Sequence, residues 1–186
     1  RHFAGVLADA GAHVVLAARR MDRLEAVAAE IEKRGGKAMT VAMDVTSDKS
    51  VSDAFATIGE TLGRPCDVII NNSGMSREGW FRDMAEEDWN AVIDTNLNGT
   101  WWMMQAAARN WVKAKRPGAI VSIVADLWRG IAGMAHSCAA RAGVIYLSKS
   151  VAVEWAPHNI RVNCVAPGCC ESTGFARYPE EGAATF

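Results

Sequence analysis

A serine and an arginine share one face of a predicted helix, and both side chains could do chemistry. Residues 136–156 have a helical composition closed by Pro157, and Ser137 and Arg141 lie one turn apart within them. At about 100° per residue these positions point in nearly the same direction. A guanidinium stays protonated and donates several hydrogen bonds, whereas a serine hydroxyl is only a weak acid. We therefore expect the pair to face a polar ligand.

A third candidate is an asparagine inside a strongly helical stretch. Asn96 lies in the run Asp94-Thr95-Asn96-Leu97-Asn98-Gly99. Asparagine is a poor residue for a helix interior because its amide competes for backbone hydrogen bonds. We expect Asn96 to loosen the helix and to hold a water molecule near the other candidates.

The elements that must position these residues alternate along the chain. Strands are predicted at residues 12–18, 37–43, 67–70, 119–124 and 160–166. Helices are predicted at residues 1–10, 21–34, 47–62, 86–114 and 136–156. Strands of nearly continuous Val, Ile and Ala, separated by helices, indicate an α/β fold with a doubly wound parallel sheet covered on both faces.

In such sheets ligands bind beyond the carboxyl ends of the strands, so the residues that follow each strand are candidates. Arg19 follows the first strand, where an acidic residue would bind the ribose hydroxyls of NAD. A guanidinium there suits the 2′-phosphate of NADP, although a solvated basic turn is an alternative. Asp44 and Val45 follow the second strand. The Asp44 carboxylate could meet an adenine amino group or could cap a helix, as Ser47 could.

Further candidates follow the third and last strands. Asn71, Ser73 and Gly74 belong to the run Asn-Asn-Ser-Gly, which supplies amides and a glycine that lets a flat ring approach the backbone, unless it is an ordinary turn. Pro167, Gly168 and Thr173 follow the last strand. We expect them to line the same edge of the sheet.

Composition excludes several classes of protein. The 186 residues are 50% hydrophobic and 22% charged, with a formal net charge of −1. A disordered chain would be less apolar, and a nucleic-acid or anionic-membrane partner would call for a basic excess. Apolar runs fall short of the ~20 residues that span a bilayer. Five cysteines without metal spacing fit a reducing compartment, so we expect no metal and a cytoplasmic location.

These residues, in this order, resemble the short-chain dehydrogenase/reductase superfamily over essentially the whole chain. The resemblance rests on Asp44-Val45, on the run Asn-Asn-Ser-Gly, on Asn96 within TNLNGT, and on RAGVIYLSKSVAVEWAPHNIRVNCVAPG at 141–168. It implies a Rossmann-like three-layer fold forming one dinucleotide-binding domain over 1–186, a nicotinamide cofactor, and a catalytic Asn96. It also implies a homo-dimer or homo-tetramer, because Trp101, Trp102 and Trp111 lie on the long helix that related proteins use for dimer contacts.

The catalytic helix departs from the family's Tyr-xxx-Lys signature. Ser137 stands at the tyrosine position and Arg141 at the lysine position. The run HSCAARAGV instead resembles the peroxisomal-type trans-2-enoyl-CoA reductases. Those proteins place a tyrosine directly after this run, where this sequence has Ile145 and then Tyr146. The proton donor is therefore left open among Tyr146, Ser137 and water.

The replacement of the family's Tyr and Lys by Ser137 and Arg141 affects which reaction the site favours. Ketone reduction needs a proton on oxygen, for which a tyrosine with a lowered pKa beside a lysine is suited. In enoyl thioester reduction, hydride goes to carbon while fixed donors stabilise the charge on the thioester oxygen. Ser137 and Arg141 therefore favour NADP(H)-dependent C=C reduction of an acyl thioester, with NAD(H) as an alternative cofactor.

Two alternatives stay open. One is an alcohol or carbonyl dehydrogenase acting on a hydrophobic substrate with Tyr146 and Lys149 recruited. The other is a non-catalytic binding piece, because no glycine-rich pyrophosphate motif occurs in these residues. The resemblance implies a first strand, between the strands at 12–18 and 67–70, and a last strand beyond this sequence. We therefore expect the 186 residues to be part of a longer chain.

Overall fold

The structure, a computed structural model, describes residues 1–126 and 129–168. Its five strands are β1 (His13–Ala18), β2 (Lys37–Ala42), β3 (Val68–Asn71), β4 (Gly118–Ile123) and β5 (Ile160–Val165). All strand pairings are parallel. The strands lie within two residues of their predicted bounds. Runs of Val, Ile and Ala therefore located the strands correctly.

Helices connect the strands. They are α1 (His2–Asp9), α2 (Met21–Lys33), α3 (Asp48–Leu62), α4 (Glu86–Ile93), α5 (Gly99–Ala114) and α6 (Ala135–Trp155). Short 3-10 turns cover Phe81–Asp83 and Ala156–His158. The start of α3 follows the predicted capping, because the Ser47 side chain accepts a hydrogen bond from the backbone N–H of Ser50 at 3.2 Å.

The strands form two hydrogen-bonded groups within the described residues. β1 pairs with β2, and β3, β4 and β5 pair in that order. β1 and β3 share no ladder, in agreement with the predicted strand order, in which these two strands are not neighbours. Parallel strands with helical crossovers confirm the predicted α/β fold.

A shared apolar core joins the two groups of strands. It contains Val41 on β2, Phe55 on α3, Ile120 on β4 and Trp111 on α5. The Trp111 ring is buried, and its Nε1–H donates to the backbone carbonyl of Cys66 at 2.6 Å. A methyl group at Gly118 would collide with this ring, so the glycine lets α5 lie close to β4.

The long helix predicted at 86–114 is interrupted. A π-helical turn over Asp94–Asn98 separates α4 from α5, and Asn96 lies fully buried within it. Such single turns often mark functional sites. The predicted loosening is confirmed, whereas the prediction of one continuous helix is wrong. The reason is that the Asn96 amide bonds outside its own helix, as described below.

The turn also brings α5 against the end of β2. A methyl group at Gly99 would stand 2.9 Å from the carbonyl oxygen of Val45, so only glycine permits this approach. The loop after β2 therefore lies beside the turn that carries Asn96. Among the helices of residues 1–126 and 129–168, none is both long and apolar enough to cross a membrane.

Candidate active site

The asparagine predicted to be catalytic clamps the loop that follows β3. The Asn96 Nδ2–H donates to the carbonyl of Met75 at 2.9 Å, and the Met75 N–H donates to Asn96 Oδ1, also at 2.9 Å. A carboxamide is matched to this double hydrogen bond because it carries one donor and one acceptor side by side. Each polar group of Asn96 therefore has a partner in this loop. Asn96 positions the loop of residues 72–75.

The arginine of the catalytic helix reaches the ends of two strands. Arg141 Nη1 donates to the carbonyl of Ile123, the last residue of β4, at 3.0 Å. Its Nη2 lies directly against Gly74, where a methyl group would collide with it and stand 3.3 Å from Asn96 Oδ1. The structure therefore brings Gly74, Asn96 and Arg141 together, as the sequence predicted.

The described residues place no carboxylate against the Arg141 guanidinium. No carboxylate in residues 1–126 and 129–168 forms an ion pair with its guanidinium. Burial lowers the pKa of this group, because removal from water disfavours the charged form. A half-buried cation with unused donors is suited to anionic or hydroxyl-bearing ligand groups.

Ser137 lies one turn before Arg141 on α6. The residue is 9% exposed, and its hydroxyl makes no hydrogen bond within the described part of the chain. Its backbone N–H donates to Nδ1 of the fully buried His136 at 2.8 Å. His136 Nε2 is buried and has no hydrogen-bond partner among the described residues. The start of α6 is therefore fixed while the serine hydroxyl keeps its bonding capacity.

The end of β3 supplies a second polar contact. The Asn71 Nδ2–H donates to the hydroxyl of Ser122 on β4 at 3.2 Å, and Asn71 Oδ1 is buried with no partner in residues 1–126 and 129–168. Ser73 is exposed and makes no side-chain bond in the described residues. Asn71 thus joins β3 to β4 below the loop that Asn96 clamps.

At the ends of β1 and β2 the contacts are more local. Asp44 Oδ1 accepts from the Thr46 N–H at 2.9 Å and from the Thr46 hydroxyl at 2.8 Å. The Thr46 backbone bond lowers the pKa of Asp44 most, and the Thr46 hydroxyl and the charge of nearby Arg19 lower it further, against burial. Arg19 is exposed and has no ion pair among the described residues.

One predicted catalytic residue, Tyr146, is turned away from Asn96 and Arg141. The Tyr146 side chain is 70% exposed, and Lys149 Nζ lies 4.6 Å from the centre of its ring. Tyr146 follows Arg141 by five positions, about 140° around the helix, which turns it toward solvent. Pro167 and Gly168 lie directly beyond β5, at the carboxyl end of the strand, where they were predicted. Thr173 lies outside the described residues.

Sequence reasoning missed the backbone partners. Neither Met75 nor Ile123 was a candidate, because each contributes main-chain atoms that any residue type supplies. Thr46 was detectable, since a Thr two positions after an Asp is typical of a side-chain turn. No group of three or more His, Cys, Asp or Glu residues in the described ranges could hold a metal ion.

The geometry fits one end of a nicotinamide cofactor. Gly74 has no side chain, and the Arg141 guanidinium occupies the position that a Cβ would take. The two hydroxyls of a ribose could accept hydrogen bonds from this guanidinium, which forms no ion pair with the described residues. The residues present therefore agree with the cofactor that the sequence implied.

Comparison with known proteins gives the family. The sequence model described as short chain dehydrogenase matches residues 1–182. A Bacillus subtilis protein named "Probable 2,4-dienoyl-CoA reductase" is 39% identical over 91% of this chain and 67% of its own length. A 3-oxoacyl-acyl-carrier-protein reductase of Aquifex aeolicus is 38% identical over 97% of this chain and 73% of its own length.

Solved structures agree. A short-chain type dehydrogenase/reductase from Mycobacterium marinum has a TM-score of 0.85 and 38% identity, covering 89% of this chain and 66% of its own. A putative short-chain alcohol dehydrogenase from Sinorhizobium meliloti has a TM-score of 0.87 and 34% identity, covering 96% and 69%. The chain spans about two thirds of the length of these relatives. Its strands, its clamped loop and its sequence together place the chain in the short-chain dehydrogenase family of NAD(P)-dependent oxidoreductases.

Proposed function

We propose that this protein is an NADP(H)-dependent reductase of the C=C bond of 2-enoyl thioesters. The observation that carries the proposal is the half-buried Arg141 guanidinium, which has no carboxylate partner in the described residues and lies one turn from the Ser137 hydroxyl. Two of the relatives described above act on acyl thioesters by their names, one on a dienoyl-CoA and one on a 3-oxoacyl-acyl-carrier-protein. Both the site and the relatives support a thioester substrate.

The cofactor, when bound, supplies a hydride to the β-carbon of the substrate. The chain's own residues then have two tasks. Arg141 holds a positive charge beside Gly74, which stabilises negative charge on an oxygen placed next to the guanidinium. Ser137 offers a hydroxyl that can donate a hydrogen bond to the thioester oxygen, with protonation of carbon left to water or to this weak acid.

Carbonyl reduction is less well supported. An alkoxide oxygen must receive a proton, and Arg141 retains its protons far more strongly than lysine does. The alternative donor Tyr146 lies exposed beside Lys149, away from Arg141. The location of Tyr146 therefore favours the enoyl reaction, with Ser137 or water as the proton source.

The preference for NADP(H) is part of the same proposal. Arg19 follows β1, is exposed, and has no ion pair among the described residues, so its donors are available to a 2′-phosphate. We expect Arg19→Ala to lower kcat/KM with NADPH by roughly tenfold and to leave kcat/KM with NADH nearly unchanged. An equal effect on both cofactors would contradict this assignment. The cytoplasmic location and the homo-oligomer remain predictions.

The direct test compares two substrates of equal chain length with the full-length protein. NADPH oxidation is followed with a 2-enoyl-CoA and with the corresponding 3-oxoacyl-CoA. We expect turnover of the enoyl thioester and little of the oxo thioester. Reduction of the oxo thioester alone, or of simple ketones alone, would reject the proposal.

A double variant sharpens the test. Ser137→Tyr with Arg141→Lys restores the Tyr-xxx-Lys spacing at the same helical positions. We expect it to increase the ratio of 3-oxoacyl to enoyl reduction, because a proton donor and its relay are restored.

Thermal unfolding of the unmodified protein tests the alternative of a non-catalytic binding piece. If NADPH does not raise the melting temperature, that alternative is supported.

A further inference from the structure

Two large aromatic side chains are exposed on the loop that follows β3. Trp80 is 67% exposed and Phe81 is 68% exposed, and the two are consecutive. The Phe81 ring meets Trp89 of α4 edge-on, with centroids 6.3 Å apart. The Trp80 ring makes no ring contact within the described residues. Adjacent exposed aromatic rings of this size are typical of a binding surface for an apolar group.

Hydrogen bonds tie this loop to the candidate active site. The Gly79 N–H, directly before Trp80, donates to the carbonyl of Gly133 at 3.1 Å. The Ser76 hydroxyl donates to Met134 Sδ at 3.1 Å. Gly133 and Met134 directly precede α6, which carries Ser137. The aromatic pair is therefore held beside the beginning of the catalytic helix.

The charges around the pair disfavour an anionic ligand. Residues 77–88 contain the carboxylates Glu78, Asp83, Glu86, Glu87 and Asp88. The two arginines of this segment are already engaged, Arg77 with Asp88 and Arg82 with Asp83. The phosphates of a coenzyme A headgroup would be repelled here, whereas an uncharged hydrocarbon would not. The charge pattern thus selects the apolar part of a substrate.

We propose that Trp80 and Phe81 form a platform for the hydrocarbon chain of the acyl substrate and determine its preferred length. This inference rests on the proposed function, since the acyl chain extends from the double bond on the side opposite the thioester. The chain would leave the space near Ser137 and Gly74, pass the loop of residues 131–134, and cover the two rings. Short substrates would end before the platform.

The test measures kcat/KM for 2-enoyl-CoA substrates of increasing chain length with the full-length protein. Trp80→Ala should reduce kcat/KM for long chains by roughly 10- to 100-fold and leave the four-carbon substrate nearly unchanged. Trp80→Gln should behave in the same way, and Phe81→Ala should add to the effect. Since Phe81 packs on Trp89, its variant is also checked by melting temperature.

Phe3→Ala is the matched control, because Phe3 is also an exposed aromatic residue but lies on α1. It should leave the dependence on chain length unchanged. If both Trp80 variants keep the wild-type dependence of kcat/KM on acyl-chain length, the inference is overturned, even if the variants change the oligomeric state.

If no enoyl thioester is reduced, the proposed function fails. The platform is then tested by calorimetry, which compares the binding of a long-chain acyl-CoA with that of a short-chain one. Loss of long-chain binding in Trp80→Ala would support it, and unchanged binding would overturn it.

Discussion

The two ends of the candidate site are built in different ways. Near α6, Asn96, Gly74 and Arg141 come from three distant segments and hold each other through buried contacts. Beyond β1 and β2, Asp44 bonds within its own turn and Arg19 stays exposed. The first end is an interlocked arrangement in which one change displaces the others. The second is a local turn that tolerates change, so substitutions should have unequal effects at the two ends.

Removing the charge at the interlocked end should have the largest effect. Arg141→Met should lower kcat/KM for an enoyl thioester by roughly 10²- to 10³-fold, because one fixed donor facing developing charge is lost. Folding stability should fall by only about 1 kcal/mol, since one hydrogen bond to the Ile123 carbonyl is lost and no ion pair is broken in the described residues. Steady-state kinetics and thermal unfolding measure the two effects. Near wild-type activity in Arg141→Met would remove this residue from the mechanism, and Arg109→Met, on the exposed face of α5, is the control.

The second-largest effect should be the loss of folding stability when the two hydrogen bonds between Asn96 and the Met75 backbone are removed. Asn96→Ala leaves the N–H and the carbonyl of Met75 without partners, which should lower the free energy of unfolding by about 2 to 4 kcal/mol. The control is Asn98→Ala in the same π-helical turn, which loses only its bond to the Asp94 side chain. Urea unfolding compares the two variants. Equal losses for both would mean that the clamp has no special role.

A methyl group added at Gly74 should have an intermediate effect on kcat/KM. Gly74→Ala pushes the Arg141 guanidinium aside, and a small displacement of a catalytic group can lower kcat/KM by roughly 10- to 100-fold. Gly79→Ala lies in the same loop and meets open space, so its kinetics should match the wild type. Neither glycine has a positive φ, so backbone strain does not confuse the comparison. Similar kinetics for both variants would argue against the packing of Arg141 on Gly74.

The local end should give the smallest effect, a change in stability with pH. The pKa of Asp44 is lowered in the folded state, so its carboxylate stabilises the fold fully above about pH 5 and less as pH falls through the folded value. Asp44→Asn should therefore lose less stability between neutral and acid pH than the wild type. Thr46→Val, which keeps the backbone bond, should move in the same direction by less. Denaturant titrations at several pH values measure this loss. A larger loss of stability at acid pH in Asp44→Asn than in the wild type would contradict the prediction.

The elements were predictable because each strand and helix carries its own periodic pattern. The strand AIVSIV and the cap at Ser47 are local signals, and both agree with the structure. The buried face of α6 was harder to predict, because Tyr146 and Arg141 are both polar and near in sequence. Only the contacts of α6 with its neighbours decide that Arg141 is half-buried and Tyr146 is exposed.

The amino-acid sequence alone determined the α/β class, the positions of the strands, and the candidates Asn96, Ser137 and Arg141. It could do so because side-chain type and spacing carry that information. Tertiary structure decided that Asn96 bonds to Met75, that Arg141 rests on Gly74, and that Ile123 is its acceptor. These partners are backbone atoms or an absent Cβ. Because every residue type has the same backbone groups, no sequence pattern marks which of them will meet.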